Sequence, residues 1–220
     1  MRIENLDTDE MIIRTASLGV IATNCYVVGC KRTHAGAIID SVAEPDAIAA
    51  MVSQSPALKV ERLLQTHAHI DHVAALSATH AAYGAPIHIH TDELGLYDAA
   101  PMQGLMLGLQ IGPLPPAQVF WSDGDTLELG ELRAEIIHTP GHTPGGCCLY
   151  FAEQKVLFSG DLLFSGSIGR TDLPGGDAPT IFKSLARVAD LPEETLVLSG
   201  HGPRTTIGKE RRTNPFLQMS

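Results

Sequence analysis

The sequence predicts an α+β protein of stacked sheet and helix layers, and two observations carry that expectation. Short apolar runs bounded by turn residues recur along the chain, and a few helical stretches are interspersed among them. The runs NCYVVG (24–29) and AGAIID (35–40) come first, strand-sized and with β-branched side chains. Residues 44–53 then read as a helix, with Pro45 as an N-terminal signal and apolar side chains at Ile48, Met51 and Val52. VERLLQT (60–66) is a strand that runs into a histidine-rich loop, and the alanine-rich stretch 72–83 leaves that loop as a second helix. APIHIH (85–90) and AQVFW (117–121) are further strands. Between them, residues 98–116 hold too many glycines and prolines for a regular element and too many methionines and leucines for a plain solvated loop. They are expected to be a surface excursion packed on the core, or a lid over a pocket. ELRAEIIH (131–138), CCLYF (147–151), KVLFSG (155–160) and TLVLSG (195–200) complete the strands, and residues 178–189 form a third helix after an Asp-Ala-Pro start. The terminal GKERRTNPFLQMS (208–220) is a charged segment ending in an apolar anchor.

At 220 residues, 44% of them hydrophobic, the chain has material for one sizeable core, and residues 1–220 are expected to form a single domain. The balance of 15 basic against 25 acidic residues gives a net charge of −10, which repels phosphate backbones and anionic membranes. Nucleic acid is therefore not an expected partner. No run approaches the roughly 18 apolar residues of a membrane span, and MRIENLDTDE at the N-terminus is too acidic for a secretory signal. The expectation is a soluble, cytoplasmic protein without a membrane partner. Cys25, Cys30, Cys147 and Cys148 form no CxxC pair and read as buried thiols, the last two pointing to opposite faces of a strand.

The stretch QTHAHIDHV (65–73) puts three histidines and an aspartate into six consecutive positions. On an extended loop His67 and His69 project to one side, so both can reach one cation, while Asp71 and His72 aim at a neighbouring point where the chain turns into the helix. Crowding these groups is costly unless a cation or water satisfies their nitrogens. One loop cannot close two coordination shells, and three further ligand types stand at the ends of later strands. His142 lies between two Pro-containing turns in HTPGHTPGG, Asp161 follows a glycine in LFSGDLLF, and His201 lies between two glycines in LVLSGHGP. Asp71 and Asp161 are the candidate catalytic carboxylates.

This spacing resembles the metallo-β-lactamase superfamily, whose signature is an HxHxDH loop followed by a His, a bridging Asp and a final His. The resemblance spans the chain from about NCYVVG to GHGP. It implies a four-layer αββα sandwich with the site at one edge of the two sheets. It implies that His67, His69 and His142 hold one metal, that Asp71, His72 and His201 hold a second, and that Asp161 bridges them. Asp40 matches the aspartate that the family places under the ligating histidines, although the usual following Pro-Gly is replaced by Ser41-Val42.

Imidazole and carboxylate ligands suit two divalent ions, zinc first, with iron or manganese as alternatives. The absence of cysteine from the constellation argues against a closed structural site. Two such ions roughly 3.5–4 Å apart share a water and lower its pKa from about 15.7 towards 7, which makes a bridging hydroxide at neutral pH. That hydroxide attacks a carbonyl carbon while a metal stabilises the oxyanion. Asp161 is placed to accept its proton and pass it to the leaving group.

SGDLLFSGSIGRTDLPGGD followed by GHGPRTTIGKERRTNPFL is most similar to the glyoxalase II group, the hydroxyacylglutathione hydrolases, and to its short bacterial members. The implied substrate is a small anionic thioester such as S-lactoylglutathione. No added C-terminal helical substrate-binding domain of the kind full-length members have is expected. Arg170 in IGRTD is the candidate substrate contact, against a structural ion pair with Asp172 or Asp177. His88, His90 and His138 read as ordinary strand or rim histidines, and Trp121 and Tyr150 as core aromatics. Two alternatives within the superfamily are a mononuclear iron persulfide dioxygenase, using a histidine of the loop with His142 and Asp161, and a lactonase.

Overall fold

Period-two alternation sorts the strand side chains into two sheets with three apolar layers around them. The computed structural model describes residues 2–106, 108–109 and 111–218, and every count below refers to these. The first sheet has seven strands in sequential order: β1 (Glu4–Asn5), β2 (Met11–Leu18), β3 (Thr23–Cys30), β4 (Ala35–Ile39), β5 (Lys59–Leu64), β6 (Ile87–His90) and β7 (Val119–Trp121). The second has six: β8 (Thr126–Leu129), β9 (Leu132–His138), β10 (Cys147–Phe151), β11 (Val156–Gly160), β14 (Leu196–Ser199) and β15 (Thr205–Thr206), ordered β15-β14-β11-β10-β9-β8. A small hairpin, β12 (Leu163–Phe164) with β13 (Ser167–Ile168), follows β11.

One apolar layer lies between the sheets, with Ile13, Val28, Ile39, Leu64 and Trp121 from the first facing Leu129, Ile136, Leu149, Phe158 and Leu198 from the second. The outer face of the first sheet is covered by α1 (Pro45–Ser53), α3 (Leu76–Tyr83) and α4 (Leu94–Met106), through Ile48, Met51, Leu76, Tyr97 and Ala100. The outer face of the second is covered by α5 (Ala178–Ala189) and α6 (Ile207–Thr213), through Ile181, Leu185, Val188 and Ile207. This is the expected four-layer αββα sandwich. Cys147 belongs to the middle layer and Cys148 to the outer one, and all four cysteines are buried and free.

Both kinds of pairing occur, and the parallel pairs decide where the site lies. β4, β5, β6 and β7 run parallel across helical crossovers, as do β11 and β14 across α5. Their C-terminal ends therefore share one edge of the sandwich. A seam closes that edge. The Asn24 amide donates to the carbonyls of Ser199 and Gly202, both at 2.9 Å, the Tyr26 hydroxyl donates to Ser199 at 2.6 Å, and the Asn24 N–H donates to Gly200 at 2.7 Å.

Three expectations need correction. The helix expected over residues 72–83 is two: α2 (Ile70–Val73) and α3, parted at Ala74–Ala75, so that Asp71 and His72 sit on a helical turn. The segment 98–116 was expected to lack regular structure, yet α4 runs through Met106 with Pro101 inside it. Proline removes one helical N–H, but burial of Tyr97, Ala100 and Gly104 against α2 and the first sheet outweighs that loss. Beyond α4, Leu109, Ile111 and Leu114 pack on the core as an irregular excursion, and residues 107 and 110 lie outside the described set. Finally, β2 was not read as a strand, because Arg14 and Thr15 interrupt its apolar pattern. The Arg14 side chain is nevertheless buried, in an ion pair with Asp7.

Candidate metal centre

Four strand ends bring the candidate ligands together. β4 ends at Asp40, whose backbone adopts the left-handed conformation at φ 56, a region that Asp tolerates better than most residues. β5 runs into Thr66 and the histidine loop, β11 into Asp161, and β14 into His201. His142 comes from the loop after β9, pinned by the Gly141 N–H to the Thr143 carbonyl (3.0 Å) and by the Asp177 N–H to the Gly141 carbonyl (2.8 Å). The approach of β11 and β14 needs glycine at position 200, where a Cβ would lie 2.1 Å from Asp161 Oδ1 and 2.7 Å from His72 Cε1.

The side chains form two groups. His67, His69 and His142 place their ligand atoms within 4.8 Å of one another, and so do Asp71, His72 and His201. Asp161 stands between them. Its Oδ2 is 3.5 Å from His142 Nε2 and 3.4 Å from His201 Nε2, and its Oδ1 is 3.4 Å from His72 Nε2. Asp71 Oδ2 is 3.3 Å from both His72 Nε2 and His201 Nε2. Every sequence-predicted ligand is thus within the cluster.

Hydrogen bonds around the cluster set the imidazole tautomers. His72 Nδ1 donates to Asp40 Oδ2 (2.8 Å) and His142 Nδ1 donates to the Arg170 carbonyl (2.7 Å). His67 Nδ1 lies 3.1 Å from Thr66 Oγ1, which itself donates to Asp40 Oδ2 at 2.8 Å and so receives the imidazole proton. Each bond occupies Nδ1 and leaves Nε2 facing the cluster as the atom that would bind a cation, as outer carboxylates and carbonyls do in histidine metal sites. Asp40 thereby carries the supporting position that the resemblance implied.

The two groups differ in electrostatics. Burial holds His67 and His142 below the usual imidazole range and brings His69 down to about 4, so the first group is neutral at pH 7. Burial also works against charge on His72 and His201. There the carboxylates win: Asp161, Asp71 and Asp40 raise His72 well above its ordinary value, and hydrogen bonds to Asp161 and Asp71 push His201 up to about 9. Burial opposes the charge on Asp161 as well, and the neighbouring His72 and His201 hold it ionised.

The donor set fits divalent cations. His67 Nε2, His72 Nε2 and Asp161 Oδ1 are buried atoms without a hydrogen-bond partner, all on the face where the two groups meet, and leaving such atoms unpaired is costly. His69 Nδ1 and His142 Nε2 lie 2.9 Å apart, two nitrogens converging on one point. Nitrogen and carboxylate oxygen without sulfur suit zinc, iron or manganese.

Three contributors were not read from the sequence. Thr23 Oγ1 donates to Asp71 Oδ2 at 2.8 Å, and Thr66 is the link just described. Glu93, wholly buried, accepts from the Ala68 N–H (3.2 Å), between His67 and His69, and from the Gly145 N–H (2.8 Å), three residues past His142. It ties the two loops of the first group, and a Cβ at Gly145 would come 2.5 Å from the Glu93 nitrogen. Arg170, the candidate substrate contact, keeps its guanidinium exposed in a two-pronged pair with Asp172, both bonds 2.7 Å, while its carbonyl orients His142. His90, Asp92 and His138 form a further cluster with ligand atoms within 4.8 Å. The rings of His90 and His138 stack at 3.9 Å and 13°, so their in-plane lone pairs run side by side without converging, and we assign no ion there.

The family model of the metallo-β-lactamase superfamily matches residues 18–201. Hydroxyacylglutathione hydrolase GloC of Haemophilus influenzae is 37% identical over 88% of this chain and 92% of its own. Among solved structures, the B3 metallo-β-lactamase BLEG-1 matches with a TM-score of 0.86 and 37% identity, covering 93% of this chain and 99% of that one. TTHA1623 in a di-iron-bound form matches with a TM-score of 0.84 and 40% identity, over 92% and 99%. No helix among the described residues is long and apolar enough to cross a membrane.

Proposed function

This chain belongs to the metallo-β-lactamase superfamily, and on that premise we propose that it is a two-metal hydrolase cleaving a hydroxyacyl thioester. The observation that carries the reading is the position of Asp161, one carboxylate within reach of both histidine groups. His67, His69 and His142 would hold one ion, Asp71, His72 and His201 the other, and Asp161 both. When bound, such a pair supplies Lewis acidity and an acidified water at neutral pH.

The chain's own groups supply the rest. Asp40, Thr66 and the Arg170 carbonyl hold three imidazoles in one tautomer, so that little reorganises during turnover. Asp161 lies between the two groups, and its Oδ1, which has no hydrogen-bond partner, would take a proton from the nucleophile and return it to the leaving thiolate. Thr23 fixes Asp71, which leaves Asp71 as a ligand in preference to a proton carrier. Arg170 would receive a substrate carboxylate by exchanging it for Asp172, since a solvent-exposed ion pair of this kind is weak.

The thioester reading leans on the relative named a hydroxyacylglutathione hydrolase, and a neighbour named a β-lactamase makes ring amides a fair competitor. The test is a panel of S-lactoylglutathione, other acyl thioesters, a lactone and a β-lactam with metal-counted protein. An oxygen-uptake arm with glutathione persulfide is run on iron-loaded protein. Thioester turnover that scales with bound metal is the expected result. Equal turnover by metal-free protein, or preference for the β-lactam or for oxygen uptake, would replace the reading.

A further inference from the structure

A cavity of about 400 Å³ opens at the side of the sandwich where the edge strands β7 and β8 face each other, away from the strand ends that carry the histidine cluster. Its volume falls within the range of roughly 300–1,000 Å³ typical of small-molecule sites. Arg62 and His88 project into it from the inner face of the first sheet, since they alternate with Leu63, Ile87 and Ile89 of the outer layer. Trp121, 4% exposed, and Leu127 supply apolar wall. Asp125 and Glu128 stand exposed at the rim.

The charges in this cavity are unevenly satisfied. Among the described residues Arg62 makes one long hydrogen bond, 3.5 Å to the Glu61 carbonyl, and no ion pair. Glu128 is paired with Arg133 at 2.9 Å, and Asp125 accepts from the Ser122 N–H at 2.8 Å. His88 is 6% exposed, its ring centroid is 5.8 Å from that of Trp121, and neither of its buried nitrogens has a hydrogen-bond partner. Burial, with the Arg62 charge adding to it, brings its imidazole down to about 4, so Arg62 is the one cation in the lining at neutral pH.

We propose that this cavity is a binding site for a small arylalkyl monocarboxylate. The guanidinium of Arg62 matches a carboxylate with two parallel N–H bonds. The indole and leucine walls suit a flat apolar body, and His88 offers a polar nitrogen beside it. The rim carboxylates set the charge at one: a dianion, phosphate monoesters included, meets Asp125 and Glu128 on entry.

The chain has a single tryptophan, so its emission reads this cavity alone. Holoprotein is titrated with 3-phenylpropionate, with 3-phenylpropionamide and with benzylmalonate, with ligand-observed saturation-transfer NMR as a second readout. The acid should give a saturable response in both. The neutral amide should bind at least about tenfold more weakly, the order of loss expected when one charge-assisted contact is removed, and the dianion should also bind more weakly because Asp125 and Glu128 repel its second charge. Arg62→Gln should abolish binding and Arg62→Lys should give an intermediate affinity, with metal content and thermal unfolding of both unchanged. No saturable response to the acid, an amide or dianion that binds as tightly, or an Arg62→Gln variant that binds like the parent would each overturn the proposal.

Discussion

Residue by residue, the centre depends on atoms that have no partner other than a cation, and substitutions should report that. Asp161→Asn keeps shape but removes the charge that both groups share, so both ions should leave together. The loss in metal affinity should exceed the roughly 10–100-fold typical of outer-shell changes, as measured by metal content after dialysis. Glu93→Gln makes a finer test. Glutamine presents one acceptor oxygen where glutamate presents two, so either the Ala68 or the Gly145 N–H loses its bond. Retention of the ion at His67, His69 and His142 should fall by about 10–100-fold, with the second group little changed, and cobalt titration separates the two. The ligands themselves were legible because imidazoles at alternate positions beside an aspartate are hard to explain otherwise. Glu93 was not legible, since its partners are backbone N–H groups that every residue has. Nothing in the polarity of HTDE (90–93) tells that a carboxylate three residues beyond His90 turns inward.

At the scale of the element, the turn after β14 is the most constrained piece of the site. Gly200→Ala would drive a methyl group into Asp161 Oδ1 and His72 Cε1. The overpacking should cost about 1–3 kcal/mol in unfolding experiments and remove the second ion before the first. Strands bounded by turn residues were readable one by one, because a buried apolar run ending at glycine has few other uses. The failures share a cause in tertiary packing. β2 is disguised by Arg14, whose charge is neutralised by Asp7 within the fold, and α4 is disguised by Pro101, whose missing hydrogen bond is offset by burial against α2. The break between α2 and α3 was invisible in an alanine-rich run that favours helix throughout.

For the whole molecule, protons and metal ions compete. In metal-free protein His201 titrates near 9, so its ion pairs with Asp71 and Asp161 contribute stability fully below pH 6.5, and that contribution is lost as pH rises through about 9. His69, brought down to about 4, acts at the other end. The unfolded chain takes up its proton first, so stability falls as pH drops from 6.5 towards 4. Thermal melts of chelated protein should therefore decline on both flanks, with His201→Gln flattening the alkaline one. Filling the second group must displace protons from both His72 and His201, so affinity there should rise more steeply with pH than the roughly tenfold per unit of a single released proton, while the neutral first group changes little above pH 6. Isothermal titration in buffers of different ionisation enthalpy counts the released protons directly.

The hydrogen-bonded seam from Asn24 and Tyr26 to Ser199 and Gly202 lies beside the proposed metal centre, and its candidate ligands come from both sides of the seam. Cations bound there would act as a removable staple across a joint that is otherwise held by a handful of polar contacts and the apolar layer behind them. A chain deprived of metal should part first along that joint, offering a protease the loops at 65–69 and 200–204 before the longer helices are touched.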